Sequence, residues 1–154
     1  MSNMQQLQWS VFDFPELGPQ LFHDILKLRI DVFVVEQNCP YPELDGSDID
    51  ALHIVGRKAD GTVVAYARIL PPQADGLPHI GRVVVVMEYR QKGVGKRLME
   101  VTLEAVVQRY GRRRSALAAQ AHLRQFYAEL GYVTNGEEYL LDGIPHVDMV
   151  LNEA

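Results

Sequence analysis

Two glycines and four cations fall within one short stretch, Arg90-Gln91-Lys92-Gly93-Val94-Gly95-Lys96-Arg97. Glycine lets the backbone approach a ligand closely. A helix starting here would offer unpaired N–H groups and the positive end of its dipole, which favour an anion. The chain as a whole is acidic, with 15 Lys+Arg against 20 Asp+Glu and a formal charge of −5. A basic concentration inside an acidic chain points to a polyanionic ligand such as a pyrophosphate. The dinucleotide fingerprint does not fit. It wants a third glycine where Leu98 stands and an acidic residue about 20 positions on, where Arg112 to Arg114 stand. The Walker pattern G-x-x-x-x-G-K-[ST] is absent. The plain alternative is a glycine turn with a solvated basic helix start, and the residue types alone leave both readings open.

Other groups with chemistry are sparse. Cys39 is the sole cysteine. It excludes an intramolecular disulfide, suits a reducing compartment, and would need a histidine partner to act as a nucleophile. The histidines form no H-E-x-x-H pattern, so no metal site is expected. His146-Val147-Asp148 would put two polar side chains on one strand face, which reads as a structural pair before a ligand pair. From Ile30 to Gly56 there is no Lys or Arg, while Asp31, Glu36, Glu43, Asp45, Asp48 and Asp50 all occur. That stretch could draw in a cationic amine. Its Asp45-Gly46 and Ser47-Asp48 pairs are equally good turn and capping residues.

The elements that must carry these groups follow from periodicity. Leu7, Trp9 and Val11 alternate with polar residues as a first strand. Gly18 to about Val35 reads as a helix with Phe22, Ile25, Leu26, Arg29 and Phe33 near one face. Asn38 to Asp48 reads as a loop, and Ala51–Lys58 and Val63–Leu70 as strands joined through Ala59-Asp60-Gly61. His79 to Met87, with its Val83-Val84-Val85-Val86 run, reads as a strand buried on both faces. A helix over Val94–Tyr110 ends at Gly111, and Ser115–Ala119 is a short strand. A helix over Ala121–Leu130 closes at Gly131, and weak strand patterns follow near Glu138–Leu141 and His146–Leu151. Strand–helix–strand from 79 to 119 implies an α/β fold with a parallel or mixed sheet centre.

The 154 residues support one domain, 1–154, and 47% hydrophobic with 23% charged residues is an ordinary globular balance. The acidic balance argues against a nucleic-acid partner. No basic n-region or apolar h-region opens the chain, and no apolar run reaches the roughly 20 residues that span a bilayer. A soluble cytoplasmic protein without a membrane partner is expected.

RQKGVG, from Arg90 to Gly95, resembles the [Q/R]-x-x-G-x-[G/A] signature of the GNAT acyl-CoA N-acyltransferases. AQAHLRQFYAELGY, from Ala119 to Tyr132, is similar to that family's second motif, ending in F-Y-x-x-x-G-[FY]. The upstream LKLRIDVFVVEQNCPYPELDGSDIDALH and the distal DGIPHVDM resemble the ElaA-like branch, so the likeness runs from about Leu26 to Met149. It implies a mixed, centrally splayed β-sheet with helices on both faces. It also implies an N-acetyltransferase that moves acetyl from acetyl-CoA to an amine by direct attack in a ternary complex. A non-catalytic acyl-CoA sensor, another acyl chain or another acceptor stays open, as does a homodimer.

Such a transfer needs an anchored cofactor, a donor for the thioester oxygen, a neutral amine and a proton for the leaving thiolate. The resemblance places Gln91, Lys92, Gly93, Val94, Gly95 and Lys96 on the acyl-CoA pyrophosphate, with Arg90 shaping the loop. It places Val83, Val84 and Val85 along the pantetheine arm and makes Gln120 a further CoA-side candidate. Tyr127 matches the family's general acid, whereas helical periodicity alone would make it a core aromatic. Many relatives carry a catalytic carboxylate on the central strand, but Val83 to Met87 has none. Glu36 is the leading base candidate, with His53, Glu88, His146 or a water chain as alternatives.

Overall fold

The computed structural model describes residues 6–152. Strand β1 (Gln8–Asp13) leads into α1 (Phe14–Ile30), and β2 (Leu52–Arg57), β3 (Val63–Leu70) and β4 (His79–Val85) follow. Helix α2 (Val94–Tyr110), β5 (Ser115–Gln120), α3 (Arg124–Ala128), β6 (Val133–Thr134), β7 (Tyr139–Leu141) and β8 (Ile144–Leu151) complete it. One sheet runs β1-β2-β3-β4-β5-β8-β6, with β7 also paired to β8. Only β4 and β5 are parallel among the described pairs; the others run antiparallel.

Alternation along β2 and β3 sorts the core into two layers. Ile54, Ala65, Ala67 and Ile69 pack with Leu98, Met99 and Val106 of α2. Val55 and Tyr66 pack on the other face with Leu17, Ile25 and Leu28 of α1. Helices therefore cover both faces, as expected. Tyr127 belongs to the α2 layer.

Three local departures shape the site. Helix α1 begins at Phe14 rather than Gly18, because the Asp13 amide donates to Glu16 Oε1 at 2.7 Å. Gly18 then breaks the helical path with φ 72°, and Pro19 resumes it. At its far end α1 runs into a π-helical turn, Asp31–Glu36, whose longer bonds include Gln37 N–H to Val32 O and Cys39 N–H to Val34 O, each 3.0 Å. The third departure is in β4. It pairs with β5 only through His79↔Ala116 and Ile80↔Leu117, and then the two strands part. Val84 is buried, but Val83 and Val85 are only partly so, which corrects the expectation of a strand covered on both faces. The last helix is also shorter than its periodicity predicts. Ala121–Leu123 is a 3₁₀ turn, and Leu123 is exposed.

Candidate active site

The parting of β4 and β5 opens a cavity of about 200 Å³. Its walls include Gly81, Arg82 and Val83 of β4, Leu117 and Gln120 of β5, and Tyr127 of α3. Across from them lie Phe33 and Gln37 at the π-turn, Cys39 and Tyr41 in the next loop, and Asp142 and His146 of the β7–β8 hairpin.

A bulge sits in the β4 wall. Gly81 faces Arg68 and Val84 faces Tyr66, so Arg82 and Val83 together oppose Ala67. Arg82 takes φ 53°, an uncommon value for a residue with a side chain. It is held there by charge. Arg82 Nε donates to Glu43 Oε2 at 2.8 Å and its terminal nitrogen to Glu43 O at 3.0 Å. The guanidinium also lies 5.5 Å from the Tyr41 ring centroid.

Glu43 belongs to a larger buried network. Arg29, fully buried, donates to Glu43 Oε2 at 2.6 Å and Asp48 Oδ1 at 2.8 Å. Arg68 donates to Asp48 Oδ1 at 3.0 Å and Asp45 Oδ2 at 2.6 Å. The Arg68 hydrogen bond holds the Asp45 carboxyl well below its ordinary range. Burial works against ionised Asp48, but hydrogen bonds and charge from Arg29 and Arg68 outweigh it and hold that group low as well. Three carboxylates of the acidic stretch thus neutralise three arginines.

The glycine turn lies where β4 hands over to α2. Gln91 and Gly93 take φ 62° and 81°, and Gly93 caps a helix whose first turn carries no acidic residue and no side-chain cap. Its leading N–H groups are left for an outside acceptor. Arg90 donates through Nε to Val85 O at 2.8 Å and through both terminal nitrogens to Glu36, at 2.6 and 3.1 Å. The glycine turn could receive a polyanion, and the flank of β4 that β5 vacates is open to an extended partner.

Tyr127 is 5% exposed and lines the cavity. Its ring packs edge-on against Phe126 and Tyr132, at 5.1 and 6.1 Å between centroids. Burial raises its pKa, so the phenol keeps its proton. Gln120 shares the wall and reaches Gln37 Oε1 at 3.4 Å.

The base candidates separate. Glu36 gives both oxygens to Arg90 and lines a different cavity, which Glu88 shares. His53 is fully buried between Tyr66 OH at 2.6 Å and Asp48 O at 2.9 Å, and burial lowers its pKa. Of the four named groups, His146 alone lines the cavity with Tyr127. Cys39 also lines it, but its thiol is directed to Asp142 O at 3.4 Å. His146 and Asp148 meet through Tyr139, whose ring stacks on the imidazole and whose hydroxyl donates to the carboxylate. Tyr41 and Arg82 were not among the sequence-derived site residues. A charged residue opening the apolar run at Arg82 was the available signal.

No helix among the described residues is long and apolar enough to cross a membrane. Residues 33–153 match the acetyltransferase (GNAT) domain family. Protein ElaA of Escherichia coli is 44% identical over 93% of this chain and 95% of its own length. The crystal structure of Escherichia coli ElaA superposes with a TM-score of 0.87 at 41% identity, covering 94% of this chain and 99% of that one. An acyl-CoA N-acyltransferase from Pseudomonas aeruginosa superposes at 0.89 with 40% identity, over 94% and 99%. The splayed sheet, the glycine turn and these likenesses agree, and the chain belongs to the GNAT acyltransferases, on their ElaA-like branch.

Proposed function

We propose that this chain is an N-acetyltransferase that moves acetyl from acetyl-CoA to a primary amine by direct attack within a ternary complex. The observation that carries this reading is the cavity itself, which joins the vacated, bulged flank of β4 to the buried phenol of Tyr127. Gln91 to Lys96 would hold the pyrophosphate, and Val83 to Val85 the pantetheine arm, as an added strand pairs with a sheet edge. Gln120 would line the thioester end. A main-chain N–H at the bulge would serve the thioester oxygen as it gains charge. Tyr127 would protonate the departing thiolate.

A volume of about 200 Å³ suits a short acyl group and an amine better than a long acyl tail. Glu43, Asp45 and Asp48 are already paired with arginines, so the acceptor we favour carries one cationic centre rather than several. The thiol of Cys39 suits the reducing cytoplasm. The test compares thermal shifts with acetyl-CoA, a long-chain acyl-CoA and NADH, then measures thiol release over amines from phenethylamine to spermidine. Acetyl-CoA should stabilise the fold most and be consumed only when an amine is present. Stabilisation without consumption would overturn the enzyme reading in favour of a sensor; the absence of both stabilisation and consumption would overturn the acyl-CoA reading as well.

A further inference from the structure

We infer that His146 is the general base that deprotonates the acceptor amine, an inference that rests on the acyl-transfer reading of the same cavity. His146 Nδ1 lies 2.7 Å from the Ile144 carbonyl oxygen. A carbonyl only accepts, so the proton of the neutral ring sits on Nδ1 and Nε2 keeps its lone pair. No hydrogen bond from a described residue reaches Nε2, although the residue is only 8% exposed and lines the cavity. An accessible ring nitrogen with an unused lone pair, on a residue that lines the cavity beside a phenol, is what proton removal from a bound amine requires.

The ring is also held in place. Strand β8 sits between β5 and β7, with His146 opposite Gln120 on one side and Tyr139 on the other. The Tyr139 ring stacks on it at 6.2 Å, and that tyrosine is tied to Asp148 through its hydroxyl. This is the base, its orienting group and the acid of a transfer site, assembled from three elements. The titratable and charged groups that share its surroundings are Tyr139 on the neighbouring strand, Asp142 in the hairpin, Cys39 and Tyr41 in the loop, Arg82 on β4 and Tyr127 on α3. Arg82 is neutralised by Glu43, and Asp142 is the carboxylate among them.

The step balances as follows. His146 Nε2 takes one proton from the ammonium group, and the freed nitrogen attacks the thioester carbon to form the C–N bond. The C–S bond breaks and its electron pair stays on sulfur, which takes a proton from Tyr127. The nitrogen's second proton, lost as the amide forms, restores the phenol, and the His146 imidazolium releases the first proton to solvent.

The experiment compares wild type and His146→Gln with acetyl-CoA and two probes, phenethylamine and the weakly basic methoxyamine, which is already uncharged at neutral pH. With phenethylamine the variant should lose about 10²-fold or more in kcat. The KM for acetyl-CoA should stay within about twofold, and the rise of kcat with pH should flatten. Methoxyamine should be far less affected, since no proton has to be removed before attack. Equal losses with both probes, or an unchanged pH profile, would overturn the base assignment while leaving acyl transfer standing. No thiol release by wild type with any amine would instead sink the acyl-transfer reading, and this inference with it. Nitrogen-15 spectra of wild type labelled at histidine give a check that does not depend on the variant folding. A neutral ring protonated at Nε2 would refute the assignment.

Discussion

Tyr127 and Glu36 both carry ionisable groups that acyl transfer could use, and burial and partners separate them. Tyr127 is closed off by Phe126 and Tyr132, which raises its pKa and keeps a proton available beside the cavity. Replacing it with phenylalanine keeps the ring's packing and removes only the hydroxyl that carries the proton. Tyr127→Phe should therefore lower kcat by about 10²-fold with little change in the KM for acetyl-CoA. Steady-state kinetics with a fixed amine checks this, and a loss confined to KM would mean that the tyrosine only packs against the arm. Glu36 is spent on a residue 54 positions away, Arg90. Its type and its place in an acidic stretch made it a reasonable base, but a sequence does not show which distant cation a carboxylate meets. Glu36 instead fastens the π-turn to the glycine turn. The position of Tyr127 beside the cavity was legible because Phe126-Tyr127 and Gly131-Tyr132 keep a fixed local spacing. The His146 geometry was not, because it depends on a carbonyl two residues back and a ring on another strand.

Elements with one strong period were read closely. The extents of α2 and β3 match, and β2 is one residue shorter at each end than its pattern predicts. Elements that change period were not. The π-turn at Asp31–Glu36 keeps helical composition while shifting its bonding, and β6 has only two residues, too few for any alternation to show. The β4 bulge is set by tertiary charge rather than local preference: Arg82 is uncommon at φ 53°, and Glu43 gives it a reason to stay there. Glu43 thus joins three parts, the end of α1 through Arg29, the acidic loop, and the bulge through Arg82. Glu43→Gln would leave two arginines short of their counter-charge, and breaking a buried pair costs about 3–5 kcal/mol. Urea unfolding should show that loss, whereas Asp50→Asn, at an exposed position, should stay within about 0.5 kcal/mol of wild type. The same Glu43 variant should lower kcat, because the bulge that walls the cavity loses its anchor. Full stability in Glu43→Gln would mean that the loop's backbone, and not its charge, holds the strand.

Across the whole molecule, the net charge of −5 divides unevenly. Two members of the acidic stretch, Glu43 and Asp48, face inward, and they are matched by Arg29, Arg68 and Arg82. That arrangement ties stability to pH in a definite direction. Burial lowers the pKa of His53, so the unfolded chain takes that proton first as pH falls below its ordinary value near 6.5. Stability attached to His53 is complete above that value and declines as pH drops through the window down to the folded value. Asp45 and Asp48 are also lowered, so their contribution is complete above the ordinary carboxylate value of about 3.9 and is lost as pH falls through their folded values. All three shifts have the same sign. The melting temperature should be level between about pH 7 and 8, decline modestly on the way to pH 5, and fall steeply below about pH 4. Calorimetric scans across this range test it. His53→Gln should flatten the first decline and leave the second, since the carboxylate–arginine network does not need the imidazole charge. A melting temperature that climbs as pH drops from 7 to 5 would mean that the interior gains protons on folding, the opposite of what a buried neutral His53 requires.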